Sequence, residues 1–597
     1  MTKYSDLLAD WLSGLGYTHC FFVAGGNIMH LLESCSRRIK CIPVVHEVAA
    51  GIAAEYFNEL HLGSKAFALV TAGPGLTNIV TAIAGAYLES RELLVIGGQV
   101  KVPDLSRGEV RQRGIQEIDG VAITAPITEK AILMDRILDR PTFARTIRSG
   151  EHGRKGPVFL EIPLDIQGAQ VDASELSLPL PPFAPQFEPI DSNTHATVAG
   201  RIKSAQRPVI LLGAGISRAT TEALYDRLVS LGIPIMVTWN AIDRIGADHP
   251  LYFGRPNTWG QRYANILLQQ SDLVVALGTR LSLQQTGFNW QNFVPAGDVI
   301  QVDCDPTELA KGHPRVALSI CANANAVLES LVGKDLGTHL EWLNFCGTVR
   351  DAIPLVEPVN QTAEGYLSPY VFVDHLSRLC LPEDIIIPCS SGSGFTVMMQ
   401  TFAQKRGQRI VSNKGLASMG YGLSGAIGAA FAAGNGNVDS NAVRRTILIE
   451  GDGGFIQNLQ ELGTVAVNHL NLKIFIFDDN GYASIRMTQS NYFNGRYVGC
   501  DTSTGLGIPN WDHLFAAYDI PILRIGPGYH EEPAFLAAFN ARGPSAFLVH
   551  IDPNQTYFPK ISSRVTASGS MESNPLHRMT PELDDSTAAK VFRYLPK

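Results

Sequence analysis

Acidic residues follow short apolar runs at two places in the C-terminal third of this sequence. Gly451-Asp452-Gly453 comes after residues 446–449, and Asp478-Asp479 comes after residues 473–477, with a helix-length segment at residues 460–469 between them. Because parallel strands joined by one right-handed crossover end at the same sheet edge, we expect both acidic turns to face one crevice. Carboxylates suit Mg²⁺ or Ca²⁺, and glycines let backbone N–H groups approach an anion such as a diphosphate. The pattern predicts a metal and phosphate site, whereas Gly-Asp-Gly alone would indicate only a strand-to-helix turn.

A third carboxylate, Glu47, lies early in the chain, where an apolar run at residues 41–45 enters an Ala-rich segment of helical length. The helix macrodipole stabilises an acid at such a place, which is the ordinary explanation for an isolated glutamate there. A buried glutamate has a second use, because desolvation raises its pKa and lets it share a proton with a bound group. Glu47 is therefore a candidate for proton transfer.

The composition is that of a large enzyme. The chain has 597 residues, of which 45% are hydrophobic and 17% charged, with a formal net charge of −8 and no basic run. This balance favours a large α/β protein that hides further apolar area in an oligomer, and it argues against nucleic acid or an anionic membrane as a partner. Nine cysteines without a C-x-x-C pair indicate neither a disulfide framework nor a zinc site. A polar N-terminus and the lack of a run of membrane-spanning length predict a cytoplasmic protein.

Short apolar runs alternate with amphipathic segments of helical length along most of the chain, which is the pattern of parallel-sheet α/β units. A Pro-rich stretch at residues 178–185 and a weaker break near residues 353–358 divide the chain. We therefore expect the α/β class, with three doubly wound parallel-sheet domains of ordinary size. Their expected bounds are residues 1–176, 190–345 and 366–556, followed by an irregular C-terminal arm at residues 557–597.

The C-terminal motif resembles the signature of thiamine diphosphate (ThDP) enzymes, in which Gly-Asp-Gly precedes a metal ligand that is usually the second Asn of an Asn-Asn pair. Here Asp478-Asp479 replaces that pair, so one more negative charge lies beside the diphosphate. The resemblance implies Mg²⁺ bound by Asp452, Asp479 and the main-chain carbonyl of Gly481. It also places the cofactor against Gly451, Gly453, Gly454 and Tyr482.

Two further segments resemble the acetolactate synthase-like members of that family. Residues 413–423 are similar to a segment whose methionine, here Met419 after Ser418, wedges under the cofactor and bends it. Ordinary core packing is the alternative for a methionine at a helix start. Residues 390–396 resemble the second diphosphate loop, with Ser391, Gly394, Phe395 and Thr396 as its cofactor contacts.

Five segments near the N-terminus resemble the pyrimidine-binding domain of the same family in order and spacing. These segments are Ala24-Gly25-Gly26, His46-Glu47, residues 71–78, Gly97-Gly98-Gln99 and Ile115-Gln116-Glu117. The resemblance implies a first domain of this type, paired with a diphosphate-binding domain at the C-terminus.

Glu47 has a specific role in this resemblance, in which it hydrogen-bonds N1′ of the aminopyrimidine ring and thereby activates the thiazolium C2 position. Gln116 is the second catalytic candidate, at the reaction centre, and Gly73 and Asn78 are cofactor contacts. Other candidates for lining the reaction centre are Asn27 and His30. Packing is the expected role of His46.

The middle third resembles the central Rossmann-like domain of the family. Residues 207–215 form an apolar run that enters a glycine turn, but Arg218 stands at the last position of the dinucleotide fingerprint. Some relatives bind FAD in this domain, others ADP or nothing, and residues 281–285 depart from the flavin-binding acetolactate synthases. FAD is therefore left open and is not expected.

The resemblance covers nearly the whole chain and implies a ThDP- and Mg²⁺-dependent enzyme similar to acetolactate synthase. Such an enzyme decarboxylates a 2-oxo acid, here expected to be pyruvate, and joins the product to an acceptor carbonyl. In this family the pyrimidine site of one subunit meets the diphosphate site of another, so we expect a homodimer or homotetramer. Residues 481–486 and 557–560 are closer to poorly defined relatives, some associated with surface-sugar pathways, so a sugar-derived acceptor is compatible with the sequence.

Other activities fit the same motifs. A non-ligating 2-oxo acid decarboxylase, or an enzyme that cleaves a C–C bond in a diketone, would share every cofactor-binding segment. A non-catalytic regulatory subunit of the same fold is the alternative from another class, and intact Glu47 and Gly451-Asp452-Gly453 argue against it. Loop shape decides the acceptor, so the acceptor stays open.

Overall fold

The computed structural model describes residues 1–60, 62–182, 191–434, 443–565 and 571–596. Three large sheets of six, five and six strands follow one another along these residues, and all neighbouring strands within each sheet are parallel. Each sheet has a hydrophobic core on both faces. The predicted α/β class with three doubly wound parallel-sheet domains is confirmed. In the described ranges no helix has the length and apolar character needed to cross a membrane.

The first sheet lies in the N-terminal domain. Its strands, in spatial order, are Lys40–Pro43, Tyr17–Phe22, Lys65–Val70, Leu93–Gln99, Pro157–Pro163 and Lys130–Leu133. The inner strands are almost wholly apolar because helices cover both faces of the sheet. The helices are Tyr4–Gly14, Met29–Ser36, Glu47–Glu59, Pro74–Leu88, Gly120–Thr124, Arg140–Arg148, Leu164–Gly168 and Ala173–Leu176.

The central domain carries the five-stranded sheet. Its strands, in spatial order, are Ile235–Val237, Pro208–Leu212, Leu273–Leu277, Asp298–Asp303 and Leu318–Cys321. Its helices are Ser192–Ser204, Arg218–Leu224, Arg262–Gln270, Leu283–Thr286, Pro306–Leu309, Ala324–Leu331 and Leu340–Ala352. The Pro-rich linker expected at residues 178–185 is described only to residue 182, and its remainder lies outside the described residues.

The third sheet carries the Gly-Asp-Gly segment. Its strands, in spatial order, are Arg409–Ile410, Ile385–Ile387, Thr446–Gly451, Leu472–Asp478, Ser545–His550 and Ile522–Ile525. Its helices are Pro369–Leu379, Gly392–Thr401, Tyr421–Ala432, Asp452–Phe455, Leu462–Val467, Ala483–Tyr492, Trp511–Ala516 and Pro533–Asn540. The strands before Asp452 and Asp479 are neighbours in register, with Gly451 opposite Phe477.

Five helices carry or support the candidate site residues. They are labelled α1 (Glu47–Glu59), α2 (Pro74–Leu88), α3 (Gly392–Thr401), α4 (Tyr421–Ala432) and α5 (Ala483–Tyr492).

Helices α1 and α4 pack directly together and join the first domain to the third. A Cβ on Gly428 would collide with the main chain of Ala53, and a Cβ on Gly425 would collide with the ring of Tyr56. Small residues are required at both positions because the helix backbones approach so closely. The two domains consequently share one hydrophobic core within a single chain.

The C-terminal arm is more regular than expected. Its described part pairs Lys560–Ile561 with Met579–Thr580 and Ser563–Val565 with Met571–Ser573, and it ends in the helix Asp585–Val591. Its apolar side chains join a core of the central domain. The arm therefore continues past the third domain and returns to the second.

Candidate active site

Glu47 opens helix α1 just beyond the strand Lys40–Pro43. His46 is the N-cap of this helix, and its Nδ1 accepts the N–H of Val48 at 3.2 Å. The Glu47 side chain is 8% exposed, and its Oε2 accepts a hydrogen bond from Nδ2 of Asn78 at 2.9 Å. A shielded carboxylate with a neutral partner is suited to exchanging a proton with a bound group. His46 has a capping role in addition to the expected packing.

The turn before α2 brings Gly73 against Gln116. Gly73 has a φ of 66°, and a Cβ at this position would collide with the main-chain oxygen of Gln116. Gln116 has a φ of 63° with an exposed side chain, and the neighbouring Ile115 is 84% exposed. Direct contacts therefore connect Glu47 through Asn78 and helix α2 to Gly73 and Gln116.

Asn27 and His30 lie near other glycines of the first domain. The main-chain oxygen of Asn27 accepts a hydrogen bond from Nε2 of Gln167 at 2.7 Å and is close to Gly98. The His30 ring faces Gly168. Their contribution to a reaction centre stays a prediction.

Asp452 is completely buried at the start of the helix Asp452–Phe455. Its Oδ1 accepts the N–H of Gly453 at 2.6 Å, and its Oδ2 accepts the N–H of Gly481 at 2.8 Å. The second bond ties the Gly-Asp-Gly turn to the turn after the neighbouring strand. The structure thus brings together Asp452 and Gly481, two of the three predicted metal-binding residues.

Asp479 is also buried, and two side chains that sequence reasoning missed hold its carboxylate. Arg486, on helix α5, lies 3.2 Å from Oδ1, and the Tyr557 hydroxyl donates to Oδ2 at 3.3 Å. Burial raises the pKa of Asp479 to about 7, although the Arg486 charge opposes this shift. Burial and the Asp479 charge raise the pKa of Asp452 as well. The site therefore holds two shielded acids close together, with one guanidinium beside them.

Three loops converge on the Gly-Asp-Gly turn. The Ser390 hydroxyl donates to the main-chain oxygen of Ser418, which joins the predicted second diphosphate loop to the methionine segment. Gly394, in the first turn of α3, lies against the backbone of Gly451. Nδ2 of Asn458 donates to the main-chain oxygen of Gly420 at 2.7 Å. The segments singled out by resemblance are thus assembled at one sheet edge.

The cofactor contacts predicted at residues 391–396 lie in different surroundings. Ser391 is the N-cap residue of α3, and Thr396 Oγ1 donates to the main-chain oxygen of Gly392 at 3.2 Å. The Phe395 ring is fully buried and packs edge-on against Trp239 of the central domain, with ring centroids 5.2 Å apart. The Phe395 side chain therefore belongs to a domain boundary, which leaves its backbone as the part available to a cofactor.

Close packing surrounds the other glycines of the motif. A Cβ on Gly453 would collide with the Tyr482 ring, and a Cβ on Gly454 would approach the carboxylate of Glu450 to 2.9 Å. Glu450 is buried, and this burial raises its pKa to about 8. Neither glycine can be replaced by a larger residue without moving these neighbours.

Comparison with known proteins identifies the family. Family models described as "Thiamine pyrophosphate enzyme" match in three parts: the N-terminal TPP binding domain at residues 2–123, the central domain at residues 195–331 and the C-terminal TPP binding domain at residues 391–550. A probable acetolactate synthase large subunit of Methanocaldococcus jannaschii is 30% identical over 511 residues, which cover 83% of each chain. This chain belongs to the thiamine pyrophosphate enzyme family. Thiamine pyrophosphate is the same compound as ThDP.

Other relatives match this chain over almost its full length. Acetolactate synthase isozyme 1 large subunit of Escherichia coli K12 is 28% identical over 563 residues, covering 93% of this chain and 95% of the relative. Isozyme 2 large subunit of the same organism is 28% identical over 575 residues, covering 94% and 99%. The resemblance to acetolactate synthase-like ThDP enzymes is confirmed, and the protein is a ThDP-dependent enzyme of the carboligase type.

The residues at the third sheet edge fit a divalent cation and a diphosphate. Two buried carboxylates concentrate negative charge that a cation would offset. A Cβ on Gly451 or Gly392 would meet nothing within 4 Å, so open space adjoins both loops. Helix α3 begins there without a side-chain cap, which leaves its first N–H groups able to receive an anion. No cluster of three or more His, Cys, Asp or Glu side chains able to hold a metal occurs in the described ranges, so a carbonyl and non-protein oxygens would complete the coordination.

Met419 lies outside the hydrophobic core. Its side chain is 40% exposed, and its Sδ lies 3.6 Å from Nε2 of Gln457. The alternative of ordinary core packing is therefore wrong for the single chain. A supporting role under the cofactor stays a prediction.

Met419→Ala tests this role. Because the side chain is exposed, we expect the free energy of unfolding of the cofactor-free protein to change by less than about 0.5 kcal/mol, as for other surface substitutions. Turnover is expected to fall, since the bent cofactor loses its support. Thermal unfolding without cofactor and steady-state kinetics with it separate the two effects. A lower melting temperature with unchanged kcat would return Met419 to a structural role.

A separate cavity of about 440 Å³ lies at the carboxyl edge of the central sheet, between Gly215, Gly278 and first-domain residues. Arg154 of the first domain forms ion pairs there with Asp303 at 2.6 Å and Asp305 at 2.7 Å. These contacts engage the acid that ends the strand Asp298–Asp303 and the acid two residues beyond it. FAD in this domain was not expected from the sequence, and that expectation stays a prediction.

Arg218 borders the same cavity and has a structural task. It pairs with Asp243 at 2.7 Å and with Glu59 of helix α1 at 3.0 Å. The residue that breaks the dinucleotide fingerprint therefore ties the central domain to the first domain.

Proposed function

We propose that the protein uses ThDP and Mg²⁺ to decarboxylate a 2-oxo acid, pyruvate first among the candidates, and to join the remaining fragment to an acceptor carbonyl. The observation that carries this proposal is Glu47, shielded and held by Asn78 at the start of α1. The names of the acetolactate synthase relatives support the carboligation.

Each half of the site has a task in this proposal. Bound ThDP supplies an electron sink that allows a 2-oxo acid to lose CO₂. Glu47 holds and returns a proton at the aminopyrimidine ring, and the Asn78 amide keeps the Glu47 carboxylate in place. Asp452, Asp479 and the carbonyl of Gly481 hold the cation. In this proposal the side chain of Gln116, which is exposed, contacts the substrate.

The decisive experiment is product analysis. The purified protein is incubated with ThDP, Mg²⁺ and single 2-oxo acids, with and without aldehyde, ketone and keto-sugar acceptors, and CO₂ and products are measured by mass spectrometry. CO₂ release with a new C–C bond supports the proposal. Release of CO₂ and free aldehyde would identify a decarboxylase, and cleavage of added diketones would identify a C–C hydrolase or lyase. No turnover of ThDP-loaded protein would favour a regulatory subunit.

Exposed apolar side chains lie beside both halves of the site. Met29, Val45 and Ile115 are exposed near the Glu47 half, and Met419 and Ile485 are exposed near the metal half. Apolar surface of this kind is typical of an interface. We therefore propose a homodimer or homotetramer in which active sites form between subunits. A cytoplasmic location is a separate proposal.

Dilution tests the assembly. If each site needs two chains, specific activity should fall in parallel with dissociation of the dimer, and ThDP with Mg²⁺ should shift dissociation to lower protein concentration. Analytical ultracentrifugation and activity are measured over the same concentration series. Full specific activity of a sedimenting monomer would contradict the proposal.

A further inference from the structure

A buried carboxylate of the third domain reaches the backbone that leads into Glu47. Glu461 is completely buried, and its Oε1 accepts the N–H groups of Val45 at 3.1 Å and His46 at 3.0 Å. Its Oε2 accepts the Thr464 hydroxyl at 2.8 Å and lies 3.3 Å from the Val45 nitrogen. One side chain therefore satisfies two consecutive peptide groups immediately before the candidate catalytic residue.

These contacts decide how the chain turns from the first sheet into α1. The strand Lys40–Pro43 ends three residues before His46, so the sheet no longer holds the main chain there. A carboxylate that accepts two adjacent N–H groups fixes both peptide planes, and bonds to a charged acceptor are stronger than neutral ones. The direction of the first α1 side chain follows from those planes.

We propose that Glu461 is a positioning residue that sets the orientation of the Glu47 carboxylate from the neighbouring domain. The inference rests on the proposed role of Glu47. Burial raises the pKa of Glu461, while Thr464, the two N–H groups and the His46 ring favour its charged form. Glu461 is nine residues beyond Asp452 in the same chain, so the loop segment that follows the metal site also supports Glu47.

A second buried contact between the same two domains provides a matched control. The Tyr421 hydroxyl donates to Oε2 of Glu55 at 2.5 Å, and Asn413 donates to Oε1 of Glu55 at 3.0 Å. Glu55 lies on α1, two turns after Glu47, and Tyr421 begins α4. Tyr421→Phe thus weakens the α1–α4 contact and leaves the backbone before Glu47 untouched.

The first measurement uses the cofactor-free protein. Amide hydrogen exchange of the peptide containing Val45 and His46 is followed by mass spectrometry in wild type, Glu461→Ala, Glu461→Gln and Tyr421→Phe. We expect faster exchange, on the order of tenfold or more, in Glu461→Ala only, because one retained oxygen in Glu461→Gln still accepts both N–H groups. Equal protection in Glu461→Ala and wild type would overturn the proposal.

The second measurement is deuterium exchange at C2 of bound ThDP, with ThDP affinity determined by calorimetry. Glu461→Ala should slow C2 exchange on the order of 10²-fold, the loss expected when a catalytic group moves by about 1 Å. Glu461→Gln should recover most of the rate, and Tyr421→Phe should stay near wild type. If Glu461→Ala fails to fold, a Glu461→Asp variant, whose shorter side chain withdraws the oxygens, takes its place, and Glu461→Gln remains the conservative variant.

The outcomes distinguish this inference from the function it rests on. Loss of C2 exchange in Glu47→Gln with normal exchange in Glu461→Ala would refute only the positioning role. Normal C2 exchange in Glu47→Gln would refute the proposed function of Glu47 itself. Equal slowing in Glu461→Ala and Tyr421→Phe would show general domain packing and would also refute positioning.

Discussion

Glu47→Gln is expected to fold and to bind ThDP but to lose C2 deprotonation on the order of 10²–10⁴-fold, the usual contribution of a general acid or base. In the wild-type structure the Asn78 amide donates to the Glu47 Oε2 atom at 2.9 Å. The fold of the variant survives because the glutamine oxygen can accept the same hydrogen bond. The chemistry fails because an amide cannot take and return the proton at the aminopyrimidine ring. Deuterium exchange at C2 measures the step directly.

Asn78→Ala is the matched control for that variant. It removes the neutral donor that orients Glu47 but retains the carboxylate itself, so C2 exchange should fall less than in Glu47→Gln. Calorimetry should show similar ThDP affinity in Glu47→Gln and in wild type. C2 exchange in Glu47→Gln within a factor of a few of wild type would remove Glu47 from the catalytic role.

The strands that carry the site were predictable because their signals are local. The apolar runs at residues 446–449 and 473–477 are the cores of the observed strands Thr446–Gly451 and Leu472–Asp478. Acids directly after such runs must lie at the carboxyl edge of a parallel sheet. Local patterns therefore sufficed to bring Asp452 beside the turn that contains Asp479.

The partners of these acids were not predictable from local patterns. Tyr557 is 78 residues from Asp479, and Glu461 is 415 residues from His46, so only the fold brings each pair together. Arg486 is nearer in sequence, but one arginine on an exposed-looking helix carries no sign of the acid that it contacts. Buried polar pairs need a complete tertiary structure because either partner alone reads as a surface residue.

The helix predicted at residues 460–469 shows the same limit on a smaller scale. The α-helix observed there is Leu462–Val467, preceded by a short 3-10 turn, Leu459–Glu461. The apolar spacing predicts one continuous helix here. In the structure Glu461 ends the 3-10 turn instead, and its side chain reaches the first domain at His46. A tertiary contact thus replaces about one turn of regular helix.

Substitutions of Asp479 are expected to have the second large effect, on both stability and metal binding. Because Arg486 pairs with the Asp479 carboxylate, the two effects have to be measured separately. Asp479→Asn removes the carboxylate paired with the buried guanidinium, which should cost about 3 kcal/mol of unfolding free energy in the cofactor-free protein. The double variant Asp479→Asn/Arg486→Leu removes charge and counter-charge together and should recover most of that loss. Thermal unfolding without cofactor separates this structural cost from any effect on the metal.

Metal binding then distinguishes Asp479→Asn from Asp479→Ala. An amide oxygen can replace a carboxylate oxygen as a Mg²⁺ ligand, so Asp479→Asn should retain ThDP binding, with a weaker dependence on Mg²⁺ because one charge that repels the diphosphate is gone. Asp479→Ala has no oxygen to offer, and its ThDP affinity at limiting Mg²⁺ should fall on the order of 10²-fold. Calorimetric titration at two Mg²⁺ concentrations measures both effects. Equal ThDP affinity in wild type and Asp479→Ala would mean that Arg486 and Tyr557, and no metal ion, account for this buried acid.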